Sequence, residues 1–253
     1  MTKLPEAFLH APLAHRGLHD AKNGVAENSE AAVAAAIQAG YGIEIDLQRS
    51  LDDQAVVFHD DTLDRMTDAR GLVAARTMSE LRSIDLVGGG TIPSLIDVLD
   101  LVAGRVPLLI EIKDNTAQSP GTPRPLERCV AAALASYRGP VAVMSFNPHA
   151  IASLQHIAPQ VALGLTTCSF DAADFGELTD DQRQRLRSLD AFDAVGATFI
   201  SHDFQDLASM HVARIKKRAF PVLCWTIRSH EQETRARQTA DNITFEGYRA
   251  ALP

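Results

Sequence analysis

The chain has 253 residues, of which 46% are hydrophobic and 22% charged, an ordinary globular composition long enough to bury a sizeable core. Its formal net charge of −8 argues against nonspecific nucleic-acid binding and against stable association with an anionic membrane, since both favour a basic surface. The same balance allows a small anionic substrate, because a metal ion and a few local cations can reverse the potential inside one pocket.

Residues 1–10 include Lys3, Pro5, Glu6 and His10 and no apolar run of signal-peptide length; the most apolar stretch, 31–37, is too short for a bilayer. Cys129, Cys168 and Cys224 are scattered without CxxC spacing and read as reduced core thiols. A soluble cytoplasmic protein is the expectation. Short apolar runs, the candidate strands, fall at 13–16, 42–47, 55–59, 107–113, 141–146, 161–165, 197–202, 221–226 and 242–245. Helices with readable ends lie between them. Asn28 is the expected cap of a helix stopping at Gly40, and Ser94 of one stopping at Gly104. Asn147–Pro148 offers a cap followed by a first-turn proline, and Ser229 with Gln232 has capping-box spacing.

Repeated strand–helix units of this kind build a parallel sheet covered on both faces. We therefore expect one domain over residues 1–253, a (β/α)8 TIM barrel, with an open doubly wound sheet as the structural alternative. The run at 55–59 follows 42–47 through the turn Asp52–Asp53 and reads as a local excursion. Residues 60–92, with a helical pattern at 77–81 and the flexible Gly88–Gly89–Gly90, read as a small insertion over the barrel mouth after the second barrel strand.

Side chains alternate across a strand, so i and i+2 share a face. In Ile43–Glu44–Ile45–Asp46–Leu47 three aliphatics take one face and two carboxylates the other. A solvated strand gives the same pattern, but inside a barrel two carboxylates need a compensating cation. Glu111 and Lys113 share a face at the end of a second apolar strand, at the barrel end where active sites are built. Together Glu44, Asp46 and Glu111 offer hard oxygen ligands suited to one divalent cation, Mg²⁺ or Ca²⁺, with Mn²⁺ a further candidate. His15 and His59 each close a strand beside acids. A pair of histidines near neutral pH provides one base and one acid. Arg16 and Lys113 would then bind a phosphoryl group, Arg16 as a fork and Lys113 as a point charge, while Gly17 would let the backbone approach the ligand.

The ordered set His15–Arg16–Gly17, Glu27–Asn28, Glu44-x-Asp46, Val57 to Arg65, Ile92–Pro93–Ser94–Leu95, Glu111–Ile112–Lys113 and Cys224–Trp225–Thr226 resembles the glycerophosphodiester phosphodiesterase family over most of the chain. The resemblance implies a barrel with a small insertion and a metal on Glu44, Asp46 and Glu111. It implies His15 and His59 as acid and base, and Arg16 and Lys113 on the phosphate of a small glycerophosphodiester. It also implies Trp225 near the alcohol group and Glu27 beside the metal or the substrate hydroxyls. Read alone, Trp225 is a core residue and Glu27 an acidic complement to a helix N-terminus. Ala26 and Ser29 stand where the family commonly has proline and threonine, and the C-terminal segment lacks the aspartate-proline ending of many members. Two rivals are a lipid-directed lysophospholipase D or sphingomyelinase-D-like enzyme and an inactive barrel that binds phosphate esters.

Overall fold

The computed structural model describes residues 1–113 and 124–253. Eight strands run parallel: β1 (Leu13–Ala14), β2 (Gly42–Arg49), β4 (Leu108–Ile112), β5 (Val141–Ser145), β6 (Ala162–Thr167), β7 (Phe199–Asp203), β8 (Val222–Ile227) and β9 (Asn242–Phe245). β1 pairs with β2 on one side and β9 on the other, so the ring closes into a (β/α)8 barrel. β3 (Ala55–Val57) lies antiparallel on the end of β2, as expected of an excursion from the ring. The helices between strands are α1 (Glu30–Ala39), α2 (Met78–Leu81), α3 (Leu95–Val102), α4 (Pro125–Ala135), α5 (Pro148–Ile157), α6 (Asp180–Ser188), α7 (Ala191–Ala194), α8 (Met210–Lys217) and α9 (His230–Ala236).

The two-residue period decides which layer each side chain joins. Ile43, Ile45 and Leu47 face outward with Val33, Ala36, Leu95 and Val98 of the helices, in the main apolar cluster. The inward set at the start of the strands is Leu13, Leu109, Ala142, Ala162, Phe199 and Leu223, joined by Leu4 and Phe8 from the N-terminal segment. Phe8 is fully buried there, worth roughly 1.5–3 kcal/mol of transfer free energy. Asn242 holds the segment by donating from Nδ2 to the Phe8 and Ala11 carbonyls, both at 2.7 Å. Gly164 makes room for Phe199, since a Cβ there would stand 2.4 Å from its ring. The strand starts are thus plugged with hydrocarbon, and polar inward positions collect at the other end.

Local details depart from the sequence reading. β1 stops at Ala14 because Arg16 (φ 55°) and Gly17 (φ 77°) turn the chain away. The cap of α1 is Ser29, whose hydroxyl accepts from the Ala32 N–H at 3.1 Å; Asn28, one residue earlier, is used elsewhere. α3 ends at Ala103 in the left-handed region, one residue before the expected glycine. β3 ends at Val57, leaving His59 on a turn. Ser229 caps α9, but Gln232 turns its carbonyl to the Arg228 N–H, so the capping box is half made. Between β3 and α3, residues 60–92 hold α2 and a separate apolar cluster of Leu63, Met66, Val73, Met78, Leu81, Leu86 and Ile92 with Ala26, Val56 and Phe58.

Candidate active site

The inward alternation on β2 and β4 places Glu44 opposite Leu109 and Asp46 opposite Glu111 in register. One oxygen of each of Glu44, Asp46 and Glu111 lies within 4.8 Å of the others, and all three side chains are buried. Burial pushes Glu44 well above the usual carboxylate range, reinforced by repulsion from Asp46 and Glu111. Burial likewise raises Glu111, against the pull of Lys113. Burial opposes the charge on Asp46 too, but Lys113 and Arg16 overcome it and hold that carboxyl well below its ordinary value. Lys113 Nζ stands 3.0 Å from Asp46 and also bonds Glu111; Arg16 Nε stands 3.4 Å from Asp46. Two buried carboxylates pushed toward their neutral forms, beside a third that stays charged, are a donor set that fits a hard divalent cation.

Asn28 completes Asp46. Its backbone takes the left-handed conformation (φ 55°), one asparagine tolerates better than most residues. Its Nδ2 donates to Asp46 Oδ2 at 2.9 Å, and its carbonyl accepts from the Asp46 N–H at 3.3 Å. The turn that ends β1 aims the Arg16 N–H at Glu44 Oε2, 3.1 Å away. Gly17 belongs to the same turn. A Cβ on it would stand 2.8 Å from Ala32, so the glycine lets α1 pack against the turn.

Both histidines reach the cluster with a carboxylate behind them. His15 Nδ1 bonds Glu246, just past β9, which Arg228 holds from its other side at 2.8 Å. His15 Nε2 is 4.0 Å from Glu44. Burial lowers the His15 pKa, against the opposing pull of the Glu246 bond. His59 Nδ1 meets Asp60 at 2.6 Å, and its carbonyl accepts from Gln48 Nε2 at 3.0 Å. Burial lowers His59 as well, though Asp46 works the other way. With Nδ1 of each ring on a carboxylate, Nε2 is left to exchange a proton.

Glu27 lies between two arginines, 2.8 Å from Arg16 Nη1 and 2.7 Å from Arg65 Nη2, two residues before the Ser29 cap of α1. Trp225 donates from Nε1 to the Ser201 carbonyl at 3.0 Å. Its ring meets Phe146 edge-on at 5.7 Å, and Phe146 also packs on Phe170 and Phe175. His202 is turned away from this group, bonding Thr167 at 2.7 Å and Asp206 at 3.3 Å. The bracing roles of Glu246 and Gln48 are not legible in the sequence, which marks Asn28 as a helix cap. Asn28 and Arg65 both carry a signal, since they stand in the Glu27–Asn28 and Val57 to Arg65 motifs.

The architecture defines the class: a (β/α)8 barrel with a buried carboxylate centre, able to hold a metal, at the C-terminal ends of its strands. Residues 15–242 match the glycerophosphoryl diester phosphodiesterase family, and the chain belongs to it. A glycerophosphodiester phosphodiesterase from Caldanaerobacter subterraneus subsp. tengcongensis is 34% identical over 162 residues, covering 60% of this chain and 65% of that protein. One from Bacillus altitudinis is 32% identical over 164 residues, again covering 65% of the relative and 61% of this chain. The chain thus spans just under two thirds of each of these relatives. An Oleispira antarctica phosphodiesterase, solved with the product sn-glycerol-3-phosphate, shares the fold at a TM-score of 0.73 and 23% identity, covering 92% of this chain and 91% of that one. No helix among the described residues is long and apolar enough to cross a membrane.

Proposed function

We propose that the chain hydrolyses glycerophosphodiesters to glycerol 3-phosphate and an alcohol. The observation that carries this reading is the convergence of three buried carboxylates and two carboxylate-backed imidazoles at one end of the barrel. Glu44, Asp46 and Glu111 would hold one divalent cation, Mg²⁺ or Ca²⁺, which when bound supplies electrostatic stabilisation of the phosphoryl oxygens. Arg16 and Lys113 orient the phosphate and add positive charge where negative charge develops. His15 takes a proton from the attacking hydroxyl or water and His59 delivers one to the departing alcohol. His59 is the better acid by position: 31% of its side chain is exposed against 13% for His15, so it regains a proton from solvent more readily. Such a division contributes typically ~10²–10⁴-fold. The chain is read as one domain in which residues 60–92 lie over part of the mouth, a reading supported by the reach of Arg65 to Glu27.

Turnover of glycerophosphocholine should stop in excess EDTA and return with Mg²⁺, Mn²⁺ or Ca²⁺. Full activity under chelation would remove the metal from the reading. A second reading, a lysophospholipase D, gains from the packing of Phe146, Phe170, Phe175 and Trp225 into one aromatic group. Lysophosphatidylcholine in the same assay separates the two.

A further inference from the structure

Arg65 lies in the 60–92 segment, outside the ring of strands, yet its guanidinium grips two carboxylates that each stand behind a residue of the proposed site. Nε and Nη2 fork onto Asp60, at 2.7 Å to Oδ2 and 2.9 Å to Oδ1. Nη2 and Nη1 fork onto Glu27, at 2.7 Å to Oε1 and 3.1 Å to Oε2. Asp60 Oδ1 is also the atom that meets His59 Nδ1, and Glu27 Oε1 is also the atom that meets Arg16 Nη1. One planar cation therefore joins the anchor of the imidazole to the anchor of the phosphate-binding arginine. Two such forks use four N–H donors of one rigid plane, a geometry lysine cannot copy.

We propose that Arg65 is a positioning residue, setting Arg16 through Glu27 and His59 through Asp60 so that both stand ready at once. The proposal rests on the phosphodiesterase reading for the roles of those two residues. Without the fork, Glu27 closes on Arg16 alone and draws its guanidinium off the phosphate. Asp60, freed at Oδ2, swings with the His59 ring. Burial and the Arg65 and His59 bonds oppose each other at Asp60, and the bonds prevail, holding its pKa down to about 2; it is a charged anchor throughout the working range. The side chain of Arg65 is 46% exposed, so the ion pairs contribute little to global stability, and their use lies in geometry.

The test compares Arg65→Lys and Arg65→Ala with Arg70→Ala, an exposed arginine of the same segment that donates to the Asp64 carbonyl at 2.7 Å and touches neither Glu27 nor Asp60. Three quantities are read: Tm, kcat and KM for glycerophosphocholine, and the ¹⁵N imidazole signals of His59. Both Arg65 variants should keep the wild-type Tm within a few degrees and lose kcat/KM on the order of 10–100-fold, in kcat as well as KM. The His59 signals should change from one locked Nδ1–H tautomer to an averaged pair. Arg70→Ala should match the wild type in all three. Unchanged His59 signals and kinetics in Arg65→Lys overturn the proposal, as does a loss that simply tracks a fallen Tm. If the wild type itself turns over no glycerophosphodiester, the phosphodiesterase reading fails, and the His59 spectrum still decides whether Arg65 sets the ring.

Discussion

His15 and His59 end in the same local arrangement, Nδ1 against a carboxylate, although their partners sit 231 residues and one residue away in the chain. That contrast explains what was legible. A histidine at a strand end and carboxylates two apart can be placed from periodicity, because neighbours along a strand fix the face. Glu246 acts on His15, and Arg65 on Glu27, through contacts that exist only once distant segments meet, and of the two only Arg65 stands in a motif. The division of labour gives a leaving-group test. Choline needs a proton to depart and a nitrophenolate does not, so His59→Ala should lose roughly 10²–10⁴-fold in kcat/KM on glycerophosphocholine and far less on a nitrophenyl phosphodiester. His15→Ala should lose similar factors on both; the reverse pattern would exchange the roles. Asn28→Ala removes two bonds to Asp46 and a residue suited to its positive φ. Its metal affinity, measured by calorimetry, should fall by roughly 10–100-fold, and an unchanged affinity would make Asn28 a backbone device only.

The elements were read more fully than their ends. The apolar runs gave all nine strands among the described residues and the cap residues gave the starts of α3, α5 and α9, while the cap of α1 slipped by one residue because Asp46 has a stronger use for the Asn28 side chain. At α3 the cap is also an ionic device. Burial works against the charge of Asp97, but the Ser94 hydroxyl and N–H, with Arg82 at 2.6 Å, hold its pKa below the ordinary 3.8. A depressed folded pKa means that this stabilisation is complete above the unfolded value and is lost as pH falls through the folded one. Asp97→Asn should lower Tm at pH 7 by about 2–4 °C for the loss of ~1 kcal/mol, and the difference should shrink as pH falls through the depressed folded pKa of Asp97. The 60–92 segment has its own apolar cluster, shared with Val56 and Phe58. Excision of residues 71–90 should leave a cooperatively unfolding barrel with lower stability and altered substrate preference. Loss of cooperativity on urea unfolding would make the segment part of the core.

For the whole molecule, the repeated strand–helix units and the resemblance pointed to a closed barrel, which the pairing of β1 with β9 completes, but no local pattern says which side chains meet at that seam. β1 and β9 meet at that seam, and the His15–Glu246 contact lies directly above it. The seam has a kinetic meaning. Glu44, Asp46 and Glu111 come from β2 and β4, which pair directly and enclose a modest stretch of chain, whereas the braced His15 requires a contact across 231 residues. Contacts of high sequence separation form late and slowly. During refolding the carboxylate centre should therefore assemble before the imidazole pair is complete, and recovered turnover should lag behind recovered metal uptake. Catalysis in such a chain is a clock for the shutting of the ring, since the first and last strands must touch before His15 has its carboxylate.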